Sequence, residues 1–327
     1  MTADRDRPTF TAEERGETSV PVRWLARTIM IIAIGVLVVA VVIVGNIVAG
    51  DGMPWTFGPT DAETRPLGSA TTETVGSDEP DPAALVDAED ERLRAMSAVS
   101  TSGGIVAAPE YNTVVLGARP SAYTVDDLVS AGAASGLDDG TIELTRHIVV
   151  RAGAVLNLDL PGETLRMASD SDGFVSLVAW GGALQLTGDA DRPLTLVGWD
   201  AEGAAPDTTT ADGRAYVRAR NGTITAANVA FDSLGFWSGR TGGVAVTATD
   251  SGTAAGSFSR TIHFGLHTGL FLSGVTGVTV DGAEIINTVE NGIAVTNGSS
   301  DTVISSTTIT RSAPAQSPWI SAAATSP

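Results

Sequence analysis

From about residue 141 the chain breaks into short runs in which apolar and polar residues alternate, each bounded by Gly, Asn, Asp or Ser. AVLNL at 154–158, ALQLT at 183–187 and PLTLV at 193–197 are examples. A period of two marks a strand with one buried face. The runs also repeat. GVTVDGAEIIN at 277–287 aligns with DTVISSTTITR at 301–311 at an offset of 24, so Val280 meets Ile304 and Ile285 meets Ile309. GLFLS at 269–273 aligns with GIAVT at 292–296 at an offset of 23, and GVAVT at 243–247 and NVAF at 228–231 supply the same two strand types. A 23–24-residue repeat of short strands without a helix fits one coil of a parallel β-solenoid. The L-x-x-L-x-L-x-x-N pattern of leucine-rich repeats is missing, and a β-sandwich would not keep a fixed period. The predicted class is therefore all-β, a solenoid over 141–311 in which Val244, Leu270 and Ile293 stack in one inward column.

Two helical patterns precede the strands. Asp81 can cap a helix with Pro82 in its first turn, Val86, Leu93 and Met96 share a face, and Asp90 and Arg94 make an i,i+4 pair. This helix reads either as docked or as frayed within a stalk. A second helix is expected at 125–134, where Thr124 and Asp127 form a capping box and a solenoid needs its first edge covered. Further upstream, TIMIIAIGVLVVAVVIVGNIVA at 28–49 carries no charge. Its 22 residues would span roughly 33 Å as a helix, the thickness of a bilayer core. Arg23 and Arg27 flank its start and acids follow its end, which puts the N-terminus in the cytoplasm. A cleaved signal peptide is the rival reading, although the run is long for one and Ile47 is bulky at the first small position of the best cleavage site.

The expected organisation is a cytoplasmic tail at 1–27, a transmembrane helix at 28–49, a stalk with a short helix at 50–98, a cap region at 99–140, the solenoid at 141–311 and an irregular tail at 312–327. That tail, with three prolines and no strand pattern, reads as a chain that ends early or as a segment folded over the last edge.

Charge narrows the function. The chain has 38 acidic residues against 19 arginines, no lysine and no cysteine, for a net charge of −19. The first 27 residues are balanced, so the whole excess lies beyond the apolar run. Such a chain is no nucleic-acid binder, and without cysteine it has no disulfide, thiolate zinc site or thiol catalysis. The pairs Asp170/Asp172 and Asp189/Asp191 are the candidates for calcium, but each offers two carboxylates where calcium takes six to eight oxygens. No cofactor is read from the sequence.

The repeats, together with DGRAYVRARNGTITAANVAFDSLGFWSGRTGG at 212–243, resemble the right-handed parallel β-helix proteins of the pectin lyase-like superfamily. More narrowly, they are similar to the membrane-anchored bacterial type grouped with mannuronan C5-epimerase-like sequences. The resemblance covers about 111–311 and implies a right-handed coil and a polysaccharide substrate. It also implies a Gly-apolar-Asp-Pro-His signature whose acid and imidazole move the C5 proton. Here Gly292-Ile293 is followed by Ala294, Val295 and Thr296, none of which can do so.

Two candidate sites remain. If Val217 and Ala219 point inward, then Tyr216, Arg218 and Arg220 form an outward, solvated stripe, with Trp237 and Arg240 nearby. Guanidinium forks and an aromatic face suit an acidic glycan, and a plain solvated strand face is the alternative. The repeat register also brings His267 beside Glu290. That pair is either an acid/base couple in which the carboxylate raises the imidazole pKa, or a surface ion pair. His263 reads as outward between inward Ile262 and Phe264, and His147 shows no partner.

The expectation is a single-pass membrane protein whose extracytoplasmic β-helix binds, or once processed, a cell-surface polysaccharide without catalysis as it stands. The alternatives are a lyase- or C5-epimerase-like enzyme with an unrecognised site, and a structural or adhesive surface module.

Overall fold

The computed structural model describes residues 81–101, 104–137, 140–237, 239–249 and 251–311. The expected cytoplasmic tail, transmembrane helix, most of the stalk and the C-terminal tail lie outside these residues.

Each coil contributes one strand to each of three sheets. The coil containing Tyr216–Arg220, Thr223–Ala227 and Val229–Asp232 is typical. Stacking the coils builds sheets of eight, six and ten strands among the described residues, paired in parallel along nearly their whole length. The result is a right-handed parallel β-helix. Its interior is filled by apolar columns such as Leu158, Leu186, Ala226 and Phe258. The sequence register holds: Val280 pairs with Ile304, Ile285 with Ile309 and Leu270 with Ile293. Val244, Leu270 and Ile293 are all buried, with an irregularity between Gly243 and Ala245 that takes up the longer repeat there.

The corner between the second and third sheets is turned by a single residue in the left-handed region, Asn228 at φ 54° in one coil and Gly282 at φ 68° in a later one. Both residue types tolerate that conformation, which is why Gly and Asn punctuate the strands.

The first strand of the eight-stranded sheet to pair in parallel is Thr113–Leu116, against His147–Arg151, so the sheet begins inside the segment read as a cap. The helix Val125–Ser130 (here α2) is shorter than expected, because Gly132 turns the chain into the strand Ala134–Gly136. Its Leu128 is buried in the open end of the coil, and the Asp127 carboxylate accepts from the Thr124 N–H at 2.9 Å. The preceding Tyr123 bonds to Val155 and Asn157 and so occupies the first strand edge of the six-stranded sheet.

The earlier helix, Pro82–Ala98 (here α1), is docked rather than frayed. Asp81 caps it through the Ala83 N–H, and Val86, Leu93 and Met96 are buried against Val115, Val149, Val178 and Tyr216 on the outer face of the eight-stranded sheet and against Phe236 outside it. Asp90 pairs across to Arg240 instead of along the helix to Arg94.

The alternation expected around His263 is inverted. Ile262 and Phe264 are exposed, whereas His263 is fully buried in the column between Phe231 and Ile285. Its Nδ1–H donates to the Gly269 carbonyl at 2.8 Å and its Nε2 accepts from the Thr261 hydroxyl at 3.1 Å. An imidazole with both nitrogens matched can replace an apolar residue in the coil interior.

Candidate functional site

The eight-stranded sheet sets its outward residues in rows. Thr113 pairs with His147 and Ser176 with Tyr216. Val149, Val178, Arg218 and Ala245 form the next row, and Arg151, Trp180, Arg220 and Thr247 the third. Val217 and Ala219 do point inward, so Tyr216, Arg218 and Arg220 point outward as read from the sequence. The stripe is not solvated, however. α1 lies across it, leaving Tyr216 at 0% and Arg218 at 6% exposure. The valine row explains the cover: Val115, Val149 and Val178 present an apolar strip that an amphipathic helix must bury.

The polar residues beneath α1 close on one another. Arg92 donates to both Glu89 oxygens at 2.8 Å and, through its remaining donors, to Ser176 Oγ at 2.7 Å and Thr113 Oγ1 at 3.2 Å. The Tyr216 hydroxyl donates to Glu89 Oε2 at 2.6 Å. His147 Nδ1 accepts from the Ser176 N–H at 3.0 Å and lies 2.9 Å from Ser176 Oγ. Burial, with the Arg92 charge beside it, depresses the His147 pKa to about 4, so the ring is neutral at pH 7. Burial pushes the Glu89 carboxyl upward, but its bonds and charge interaction with Arg92 prevail and hold it below the usual range. Tyr216 is therefore bound up in fixing α1 and is withdrawn from any glycan.

At the edge of α1 the balance of charge changes. Arg240 Nη2 meets Asp90 Oδ2 at 2.8 Å, and Arg218 Nη1 lies 3.9 Å from Asp90 Oδ1. Arg218 Nε donates to Thr247 Oγ1 at 3.0 Å, but its buried Nη1 has no hydrogen-bond partner among the described residues. Arg220 stacks over Trp180 at 4.3 Å. Burial lowers the Arg218 pKa to about 10, and the charges of Arg220 and Arg240 act in the same direction. Two guanidinium groups thus share one carboxylate, and the charge of Arg220 acts on Arg218 beside them. Arg240 is carried by the one-turn helix Gly239–Thr241, upstream of which the chain turns at Gly235 (φ 84°), where a Cβ would strike the Gly242 backbone. Trp237, three residues before Arg240 in the chain, is 54% exposed.

His267 and Glu290 do come together, with Nδ1 3.8 Å from Oε2. The expected rise in the imidazole pKa is absent. Burial, reinforced by the Arg214 charge, lowers it to about 4, and burial raises Glu290. The ring is held neutral, and among the described residues its Nδ1 has no hydrogen-bond partner. Arg214 itself is fully committed, donating to the carbonyls of Asp207, Leu234, Gly235 and Gly265. Of the acid pairs considered for calcium, Asp189 is taken by Arg192 and Asp170 accepts from the Asp172 N–H.

Glu89, Arg92 and Ser176 carry no role in the sequence reading, and Asp90 enters it only as an intrahelical partner of Arg94. One signal was present: Glu89 falls between Val86 and Leu93 on the buried stripe of α1, where an acid calls for a partner on the surface it meets.

No protein-family model matches the chain, and a comparison with curated proteins found no match. Among solved structures, the chain is similar to the periplasmic alginate epimerase AlgG, with a TM-score of 0.51, 14% identity, 60% of this chain covered and 47% of that one. A mutant of that enzyme gives the same TM-score of 0.51 and 14% identity, with 60% and 49% covered. The chain spans about half the length of the structures it resembles. At this identity the likeness establishes the fold alone, a parallel β-helix.

Proposed function

We propose that this protein is an extracytoplasmic β-helix module that binds an acidic polysaccharide at Arg218, Arg220 and Arg240. In this reading residues 28–49 anchor it and residues 1–27 stay in the cytoplasm. The observation that carries it is the imbalance at the edge of α1, where Arg218 and Arg240 share Asp90, Arg220 adds its charge beside Arg218, and a buried Arg218 donor is unmatched among the described residues. In a chain of net charge −19, a polyanion can approach only where guanidinium groups are concentrated. Trp237 and Trp180 add aromatic faces of the kind that stack on sugar rings. That the similar solved structure acts on alginate, a polymer of uronic acids, agrees with this choice of ligand.

Titration of the full chain with oligomannuronate should show binding that weakens with added salt. The double substitution of Arg220→Ala with Arg240→Ala should reduce affinity by about tenfold, in line with the loss of charge-assisted hydrogen bonds. These two are chosen over Arg218, whose buried head also bonds Thr247. Binding indifferent to salt and to both substitutions would overturn the site.

A second reading, catalysis, is favoured by the unpartnered Nδ1 of His267 beside Glu290. It requires that the chain convert mannuronate to guluronate, or cleave the polymer, and that His267→Gln abolish the conversion followed by NMR. With Ala294, Val295 and Thr296 where the resembling family has its acid and imidazole, the expected result is no conversion.

A further inference from the structure

We infer that Asp90 of α1 is a resident competitor for the ligand carboxylate, so that the helix sets the affinity of the arginine cluster by occupying it. The inference rests on the binding reading above and adds its regulation.

α1 is positioned by groups that have nothing to do with Asp90: the Val86–Leu93–Met96 stripe and the buried Glu89–Arg92 pair fix its azimuth on the sheet. That azimuth places residue 90 at the helix edge facing the later coils. The Asp90 side chain remains 29% exposed there, and it adds nothing to the apolar contact. Its carboxylate satisfies Arg240 at 2.8 Å but reaches Arg218 only to 3.9 Å. One carboxylate is therefore stretched between two guanidinium groups and fully pairs with one. Arg218 Nη1, Arg220 Nε and Arg240 Nε lack hydrogen-bond partners among the described residues. A ligand bearing carboxylates on a regular polymer can supply more acceptors than Asp90 does, and it enters by displacing that side chain from Arg240.

The energetics favour exchange over simple addition. A second anion arriving beside Asp90 is repelled by it, whereas one replacing it inherits the full field of three cations. Rotating Asp90 away costs one partly exposed ion pair, which is a small penalty, and leaves α1 in place. The helix is thereby a fixed element carrying a removable counter-ion.

The test measures oligomannuronate binding to the full chain in detergent by titration calorimetry, for wild type, Asp90→Asn and Asp90→Glu. Removing the charge should tighten binding by about fivefold or more at low salt, and the glutamate, which restores the carboxylate, should return affinity toward wild type. Asp90→Ser removes the same charge with a smaller side chain and should tighten binding likewise, which separates charge from any disturbance by the amide. Wild-type binding with Asp90→Asn and Asp90→Ser equal or weaker would overturn the competitor role and leave the binding site standing. No binding by any of the four proteins would overturn both the site and its regulation.

Discussion

Arg92→Ala should destabilise the protein by about 3–5 kcal/mol, read as a lower urea midpoint or as early release of α1. The guanidinium lies with its side chain 8% exposed and makes bonds to Glu89, Ser176 and Thr113. Its loss leaves the Glu89 carboxylate buried with only the Tyr216 hydroxyl as donor, and a buried unpaired charge is among the costliest defects a fold can carry. The effect of Glu89→Leu should be of similar size, because Arg92 is then the orphan. The double variant Glu89→Leu with Arg92→Met should recover part of the loss, since an apolar pair of similar volume suits the neighbouring Leu93, Val149 and Val178 while the buried Tyr216 hydroxyl loses its acceptor. Single variants that leave stability unchanged, or a double variant as unstable as their sum, would show that the pair does not hold the helix.

The same helix shows where the sequence was legible and where it was not. The solenoid could be read because its information is local and periodic: Val280 over Ile304 and Ile285 over Ile309 follow from one offset, and the structure keeps both pairings. Where the period falters, so did the reading. His263 was placed outward on the assumption that aromatic and aliphatic neighbours are inside, but Phe264 and Ile262 are on the surface and an imidazole fills the column. A hydrogen-bonded histidine cannot be told from a solvated one without the Gly269 carbonyl, which reaches it only through the turn to the next strand.

The solvation expected of the candidate stripe is lost for a different reason. The orientation of Tyr216, Arg218 and Arg220 was a within-strand property and was read correctly. Their accessibility depends on α1, whose Glu89 lies 127 residues before Tyr216, and no local pattern says that a helix returns to cover a strand. Val115, Val149 and Val178 held the clue. A solenoid whose outward row is valine in three successive coils has an apolar outer face, and such a face demands a cover. Asp90, read as an intrahelical partner of Arg94, became a site residue for the same reason: its partners are on the covered surface.

That buried histidine also predicts the response to acid. An unfolded imidazole takes its proton near pH 6.5, whereas burial lowers the folded value for His263 to about 4. As pH falls from about 6.5 to about 4 the unfolded chain binds a proton that the folded one refuses, so stability declines across that window and is fully present above it. The span corresponds to about 3 kcal/mol for this one residue. His263 is the cleanest place to measure it, because its surroundings are the Phe231 and Phe258 rings at 5.1 and 6.3 Å, the Thr261 hydroxyl and a carbonyl, with no charged partner. His147 and His267 are depressed in the same direction. Glu89, held low, adds a further loss below the usual carboxylate range, while Asp207, Asp232 and Glu290, raised by burial, act with the opposite sign. The net slope of the wild type is therefore a sum, and the comparison that isolates His263 is with His263→Gln, which keeps hydrogen-bonding capacity and cannot titrate. The variant should be less stable than wild type at pH 7.5 but should lose about 3 kcal/mol less on going to pH 4, measured by urea denaturation at each pH. Parallel stability curves for the two proteins would mean that His263 takes up its proton without unfolding, against the closed, neutral environment described for it.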